Sequence, residues 1–567
     1  MKHRMTLSLL FVLTIATTIL FANSKPGSGT FRVQSRNEWI RYGLEASSHN
    51  APGMTNLADL DSFILRTMEL QHMPGVAAAV VSDGEIVWTG TYGYANIEEN
   101  IPVTDSTLFW IASISKTFTG AALLQLWEAG DIELDDDIND YLPFEVHNPH
   151  YPDSTITFRN LLTHTSSLRD NWNVMGALYV EGDSPVQLGD WLADYFVPGG
   201  RRYYPSLNFC DCPPSTVREY CNHNFALIGY IVETITGVPF EQYCQDSLFI
   251  PLGMTETSWF LEGLDLQKVA MTYDYVDGTY VPFGYIGYAL YPVASIRTSN
   301  VQLARHLIAM LQKGEIDGVR VLESSTVDSM TTAQVPHIST DQGLAWFRGN
   351  QRGKTVWWHT GFDPGVATYA GFCPEGNFGV LVLANTWNTL GVTIITDRIY
   401  LYTDDPDEDG SISFTDNCPE ISNPDQEDGD TDGIGDVCDN CPDETNSDQA
   451  DRDGDGIGDV CDACVDTDGD GYGNPGYPAM TCATDNCPEV FNPDQEDFEK
   501  GNIDCKDGID VLDALAVVNH ILGTAPLTGA PFDRSDCNGD NGVDILDALG
   551  IINVILGIGA CQSTAPE

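Results

Sequence analysis

Basic side chains are scarce in this chain: 26 lysines and arginines stand against 83 aspartates and glutamates, a net charge of −57 over 567 residues. Such a balance repels phosphate backbones, which argues against nucleic acid as a partner and in favour of divalent cations. Long apolar runs are also missing beyond the first residues, so no transmembrane segment is expected in a mature, soluble chain. The shortage of positive charge is uneven. Residues 404–500 hold 31 acidic and two basic residues, whereas the first 400 read as ordinary globular sequence. That acidic stretch also lacks large apolar residues, so metal ions and disulfides must replace a conventional core.

What is present begins with Lys2, His3 and Arg4, an apolar run over 7–21 and the small residues Ala22-Asn23-Ser24. This is the pattern of a secretory signal peptide over 1–24. An uncleaved membrane anchor is the alternative, and the run is short for one. The 15 cysteines beside an export signal point to disulfides, hence to a secreted or cell-surface protein, with the periplasm on its route. The odd count leaves at least one thiol without an intrachain partner.

Three segments follow the signal: 25–403, 404–498 and 499–567. In the first, apolar spacing predicts a helix over 56–71, and strands are predicted over 75–81 and 85–92 around a Ser82-Asp83-Gly84 turn. A helix-rich middle leads to strands over 355–359, 367–372 and 379–384 and a closing helix over 390–402. Strands from both ends with helices between them make an α+β layout. The second segment repeats every 23 residues, as Cys418, Cys441, Cys464 and Cys487 mark. The third duplicates a loop and an apolar helix, Asp510-Val-Leu-Asp513-Ala-Leu against Asp544-Ile-Leu-Asp547-Ala-Leu.

Chemistry enters with Ser113-Ile114-Ser115-Lys116, just before an apolar helix. With Ser113 at the helix start, Lys116 lies one turn on and faces the same way, where it can assist deprotonation of the hydroxyl. Tyr220-Cys221-Asn222 precedes a second apolar helix, and His359-Thr360-Gly361 ends a predicted strand. These stand in the order SxxK, YxN, K/HxG of penicillin-recognising serine hydrolases. Gly93-Tyr94-Ala95-Asn96, Leu162-Thr163-His164-Thr165-Ser166-Ser167-Leu168 and Pro251-Leu252-Gly253-Met254 fit the same series. Residues 55–402 therefore resemble a class C β-lactamase-related domain, which implies an antiparallel sheet with a helical subdomain.

The resemblance implies Ser113 as the acylated nucleophile and Lys116 as its proton partner. It implies Tyr220 as general base or shuttle, its phenol made more acidic by nearby cations, and Asn222 as a hydrogen-bonder to substrate or Lys116. His359 takes the place of the usual lysine, Gly361 completes the turn, and the backbone N–H groups of Ser113 and Phe362 form the oxyanion hole. Histidine there is common in relatives that act as esterases or D-amino-acid peptidases, so these activities rank above β-lactam hydrolysis. Catalysis needs no cofactor on this reading; the substrate is a small molecule or peptide. Ser167 stands where relatives often have glycine, and His164 is read as a structural hydrogen-bonder. Cys221 is a candidate for a disulfide with Cys210, Cys212 or Cys244, and Cys373 is unassigned. Cys210-Asp211-Cys212 lacks a matching second pair for a metal.

Calcium takes loop oxygens at positions 1, 3, 5, 7, 9 and 12. Asp428, Asp430, Asp432, Asp436 and Asp439 fit that spacing, as do Asp451, Asp453, Asp455, Asp459 and Asp462. Asp405, Asp407, Asp409, Ser413 and Asp416 match as well, and Asp466, Asp468, Asp470 and Asn474 match in part. A glycine follows the third carboxylate each time, where the chain turns sharply. With Asp416-Asn417-Cys418-Pro419 and Gly435-Asp436-Val437-Cys438-Asp439, these loops resemble thrombospondin type 3 repeats. The resemblance implies disulfides Cys418–Cys438, Cys441–Cys461 and Cys464–Cys482.

The final duplication resembles a type I dockerin, a small EF-hand-like helical domain. Asp536, Asn538, Asp540, Asp544 and Asp547 fill its ligand positions, and the other copy, Asn502, Asp504, Lys506, Asp510 and Asp513, carries a lysine in place of a carboxylate. The implied cofactor is structural Ca2+ in the tail and the implied partner a cohesin. A second functional reading, a silent hydrolase fold serving as an adhesive surface protein, is opposed by the intact Ser113, Lys116, Tyr220 and His359.

Overall fold

Gly75–Ser82 reads GVAAAVVS, small and β-branched throughout with no polar alternation. Such a run suits a strand covered on both faces, and it forms β1 with every residue buried. Asp83 and Gly84 follow with φ of 51° and 85°, the left-handed pair that closes a tight hairpin into β2 (Glu85–Asn96). The structure, a computed structural model, describes residues 57–561 apart from 177–178, 408, 496–501, 504–508, 510, 525–526, 528–534 and 538–541. The proposed signal peptide and the ligand candidates Asp504, Lys506, Asp510, Asn538 and Asp540 lie outside the described residues. The chain separates into two compact units after Asp404.

In the first unit β1 and β2 join β3 (Ile101–Pro102), β4 (Phe347–Gln351), β5 (Lys354–Asp363), β6 (Val366–Cys373) and β7 (Phe378–Ala384). The sheet runs β4-β5-β6-β7-β1-β2-β3 and every pairing is antiparallel. Its N- and C-terminal strands meet at its centre, where Val76 faces Ala384 and Val80 faces Val380. All residues of β6 and β7 are buried as well. Helices α4 (Asn300–Leu311) and α5 (Thr389–Ile399) pack on these strands, and α1 (Leu57–Gln71) lies on α5. The remaining layer is helical: α2 (Ser115–Ala129) packs on α3 (Asn222–Thr236). Phe118, Leu123, Leu124, Phe225, Ile228 and Ile231 are fully or almost fully shielded there, and each such side chain contributes about 1.5–3 kcal/mol of burial.

The sulfur atoms settle differently from the sequence expectation. Cys210 bonds Cys212, while Cys221, Cys244 and Cys373 are buried free thiols. Ser167, in the position that relatives give to glycine, takes the left-handed conformation with φ 65°. Its hydroxyl accepts a hydrogen bond from Asn148 Nδ2 at 3.0 Å, and that amide also donates to the carbonyl of Cys210.

The second unit has little apolar interior. Between 405 and 495 the buried apolar residues are Ile412, Val465 and the cysteines Cys418, Cys441 and Cys487. Disulfides Cys418–Cys438, Cys441–Cys461 and Cys464–Cys482 are formed as the repeat resemblance implies. Helices α6 (Val511–Ile521) and α7 (Ile545–Ile555) pack on each other around Ala514, Val517, Ala548 and Ile551, and Cys537–Cys561 ties this end. Among the described residues no helix is long and apolar enough to cross a membrane.

Left-handed strain of about 1–2 kcal/mol at a non-glycine residue and one hydrogen bond of about 1 kcal/mol oppose each other at Ser167. Ser167→Gly is therefore expected to change unfolding stability by less than about 1 kcal/mol, as read from a denaturant melt of the first unit.

Candidate active site and calcium loops

The nucleophile candidate occupies a short 3-10 turn, Ala112–Ile114, that runs directly into α2. Ala112 is held at φ 46°, a conformation that costs an alanine energy and persists only where its surroundings impose it. Those surroundings include β5: a side chain at Gly361 would run into the carbonyl oxygen of Ile111 and the hydroxyl of Thr368. Gly361 thus lets the strand lie against the turn that carries Ser113. β5 continues past His359-Thr360-Gly361 to Asp363, so the triplet lies within the strand and not at its end.

Lys116 is fully buried. Its Nζ donates to Ser113 Oγ at 3.0 Å and to the carbonyl of Val293 at 2.8 Å. Burial lowers its pKa to about 7, against the weaker opposite pull of Asp170 and Asp363. A large fraction of this amine is therefore uncharged at neutral pH. Tyr220 is 40% exposed, but its phenol end turns inward to the Ser113 side chain. Lys116 Nζ lies 5.1 Å from the Tyr220 ring centre. Enclosure raises the phenol well above its usual value, the reverse of the acidification expected from the charges alone. The nearby lysine is itself partly neutral and cannot supply the field that expectation required.

His359 is 2% exposed, and burial together with the Lys116 charge depresses it to about 3. Its Nδ1 lies 2.7 Å from the carbonyl of Thr360, which calls for the proton on Nδ1 and leaves Nε2 as an acceptor. The imidazole ring stands 6.4 Å from that of Tyr220. Asn222 departs from expectation. Its backbone N–H and its side-chain amide both donate to Asp170 at 2.8 Å, while Lys116 uses Ser113 and Val293.

Asp170 carries no sequence motif, yet it anchors this segment. It also accepts from the Cys221 thiol and faces His223 Nδ1 at 2.8 Å. Burial alone would raise its pKa; the hydrogen bonds and charge of His223 and the Asn222 N–H bring it below the ordinary value. It therefore caps the start of α3 as a carboxylate and fixes Tyr220 two residues away. His164 is a structural acceptor as expected: Nδ1 takes the Cys221 N–H at 3.2 Å, and burial keeps the ring well below its usual pKa.

In the second unit the structure brings together the carboxylates of Asp405, Asp407 and Asp409, of Asp428, Asp430 and Asp432, of Asp451, Asp453 and Asp455, and of Asp466, Asp468 and Asp470, each set within 4.8 Å. The side-chain Oδ2 atoms of Asp407, Asp416, Asp430, Asp462 and Asp468 are shut off from solvent without any hydrogen-bond donor. Anionic oxygens collected in this way fit a hard divalent cation. Positions 1, 3, 5 and 12 of each loop would hold it; Asp436 and Asp459 are occupied instead by the backbone N–H groups of Gly429 and Arg452. The fourth loop takes its last carboxylate from Asp485, which the spacing rule missed. Asp485 Oδ2 is likewise buried and unpartnered, and it raises the Asp468 pKa after burial and Asp470. Asp485-Asn486-Cys487-Pro488 repeats Asp416-Asn417-Cys418-Pro419, the signal that identifies it despite the insertion before it. At the C-terminal end Asp544 caps α7, accepting the Leu546 N–H, and Asp547 accepts the Asp544 N–H. Asp513 accepts the Ile503 N–H, and Asp536 is buried nearby in the sequence.

A serine and lysine on one helix start, a tyrosine opposite them and a strand laid against the serine turn define a serine-hydrolase type of site. The Beta-lactamase family profile matches residues 60–401, and the chain belongs to that family. Thrombospondin type 3 repeat matches cover 403–426 and 450–495, and a Dockerin type I domain match covers 506–556; both imply calcium binding, and with the disulfides they indicate an extracellular location. The chain is 25% identical to Protein flp of Staphylococcus aureus (strain MRSA252) over 330 residues, 58% of this chain and 62% of that relative's length. Among solved structures it is similar to the octameric penicillin-binding protein homologue from Pyrococcus abyssi, with TM-score 0.50 and 24% identity over 61% of this chain and 77% of that one. It is also similar to a penicillin binding protein from Bacillus halodurans, with TM-score 0.49 and 26% identity over 59% of this chain and 98% of that one.

Carboxylates this crowded repel one another without a counter-ion, and few apolar contacts oppose them. Addition of EGTA is expected to enlarge the scattering radius of the full-length protein while labelling of Ser113 by a serine-reactive probe persists. An unchanged radius would contradict the loop assignment.

Proposed function

We propose that the first unit hydrolyses an ester or amide through an acyl-enzyme on Ser113. The observation that carries this reading is the 3.0 Å contact between a buried, partly neutral Lys116 and the Ser113 hydroxyl. Neutral Lys116 takes the Ser113 proton as Oγ attacks the substrate carbonyl carbon. The backbone N–H groups of Ser113 and Phe362 receive the developing oxyanion. Tyr220, protonated at neutral pH, passes a proton to the leaving group and is resupplied by Lys116. Water then cleaves the acyl ester by the reverse relay. Asn222 acts through Asp170, holding the segment that presents Tyr220. The calcium-loaded second unit serves for surface attachment, with a cohesin-type partner for its terminal helices. Apolar residues there, among them Leu512, Leu515, Leu546 and Leu549, remain exposed.

This relay fixes a pH dependence. Lys116 works only when unprotonated, so acylation is expected to fall as pH drops through about 7 and to level off above it. Intact-mass spectrometry with a fluorophosphonate probe checks both points: wild type should gain an adduct at that pH-dependent rate, and Ser113→Ala should gain none. An adduct on the variant would mean that another residue is the nucleophile.

Esters or D-amino-acid peptides are the better substrates on this reading. A penicillin-type carboxylate needs a cation, and the residue in the usual lysine position is a neutral imidazole, His359. The kcat/KM on p-nitrophenyl acetate should exceed that on nitrocefin, and His359→Lys should move the ratio toward nitrocefin. Efficient nitrocefin turnover by wild type would overturn the preference.

A further inference from the structure

The cleft contains a carboxylate that the relay does not use. His359, Gly361 and Asp363 alternate onto one face of β5, the face on which Gly361 meets Ile111 and Ala112 beside Ser113. Asp363 is 8% exposed. Oδ1 accepts the Tyr179 hydroxyl; among the described residues this is its only hydrogen bond, and Oδ2 has no donor. The nearest formal cations are otherwise engaged. Arg297 donates to the carbonyls of Trp259, Ser295 and Ile286, and Lys116 to Ser113 and Val293. Burial raises Asp363 to about 7, against the pull of Lys116 and Arg297.

A carboxylate left in this state costs the free protein several kcal/mol when ionised. That cost is avoided when the carboxyl is protonated, as its raised pKa allows, or offset when a cation arrives from outside. Tyr179, the hydrogen-bond partner of Asp363, also lines a cavity of about 470 Å³ together with Glu181, Phe283 and Ile286. Phe283 packs against Trp387 at 5.3 Å and Trp387 stacks on Phe362 at 6.3 Å, an aromatic wall of the kind that favours ammonium groups.

We propose that Asp363 receives a free ammonium on the acyl part of the substrate, which makes aminoacyl amides and esters the preferred substrate class. The inference rests on the acyl-enzyme reading above. Asp363 follows Phe362, the oxyanion donor, by one residue, so a charge it holds lies close to the reacting carbonyl. A cation bound there also opposes protonation of Lys116, so the substrate itself helps to keep the base neutral.

The test compares kcat/KM on alanine p-nitroanilide, both enantiomers, with that on the N-acetylated compounds, using p-nitrophenyl acetate as a chargeless reference. Wild type is expected to prefer the free amine at least about tenfold, the effect of roughly 1.4 kcal/mol. Asp363→Asn should reduce that ratio at least about tenfold, with a melting curve and probe labelling of Ser113 to certify the fold. The proposal is overturned if wild type cleaves the acetylated anilides equally well, or if the ratio survives Asp363→Asn. It is also overturned if wild type cleaves p-nitrophenyl acetate but neither anilide. If wild type cleaves nothing and Ser113 gains no adduct, the acyl-enzyme reading itself has failed and takes this inference with it.

Discussion

The active unit depends on keeping an amine uncharged inside a protein. Lys116 has an ordinary sequence context, one helical turn after Ser113, and would be a charged surface residue in most helices. Here α2 is buried along nearly its whole length, and the cost of desolvating an ammonium ion falls on its pKa. Everything else in the cleft follows the same rule. His359 and His164 are neutral because they are buried, Tyr220 keeps its proton, and Asp363 sits near half-ionisation. Among the carboxyl groups here Asp170 keeps its charge, because hydrogen bonds from Asn222 and Cys221 and the imidazole of His223 converge on it. Removing any one of these changes the electrostatics felt by the buried Lys116.

The two units solve the stability problem in opposite ways. The first excludes water from a continuous apolar interior, in which a strand such as β1 can dispense with polar residues altogether. The second gathers like charges and leaves several of their oxygens without donors, which is unfavourable until a cation completes the arrangement. Its disulfides limit how far the chain can open, and their buried sulfur atoms make up much of the little apolar interior it has. The two units thus rest on different physics, apolar burial in one and charge compensation in the other.

How much of this was legible in the sequence depended on whether a feature is local. Ser113 and Lys116 are three residues apart on a helix start, so their contact follows from helical geometry. The β1–β2 hairpin followed from an apolar run with Asp83-Gly84 at its end, and the calcium triplets from strict spacing. Asp170, Asp363, Tyr179 and Arg297 were not legible, because each comes from a separate segment and belongs to no pattern; only the fold brings them to the cleft. The Tyr220 phenol was read in the wrong direction because counting nearby cations ignores burial, the larger influence. Asn222 was given to substrate or Lys116, and the structure gives its amide to a carboxylate that lies 52 residues earlier. Asp485 was visible in its Asp-Asn-Cys-Pro repeat, but a fixed twelve-residue rule cannot span the insertion before it.

In the acidic repeats a carboxylate of each loop reaches forward along the chain: Asp409 accepts the Asn423 N–H, Asp432 that of Asn446, Asp453 that of Asp466, and Asp470 that of Asn492. A metal ion that orders one such carboxylate therefore also orders the turn of its successor. The array behaves as a row of coupled units with nearest-neighbour terms. Were ions to fill the row, their occupancy would be coupled, and a defect in one loop would weaken the adjacent site before more distant ones. Rigidity over the length of this segment is then a graded response to ambient calcium, set by how many consecutive links are closed at once.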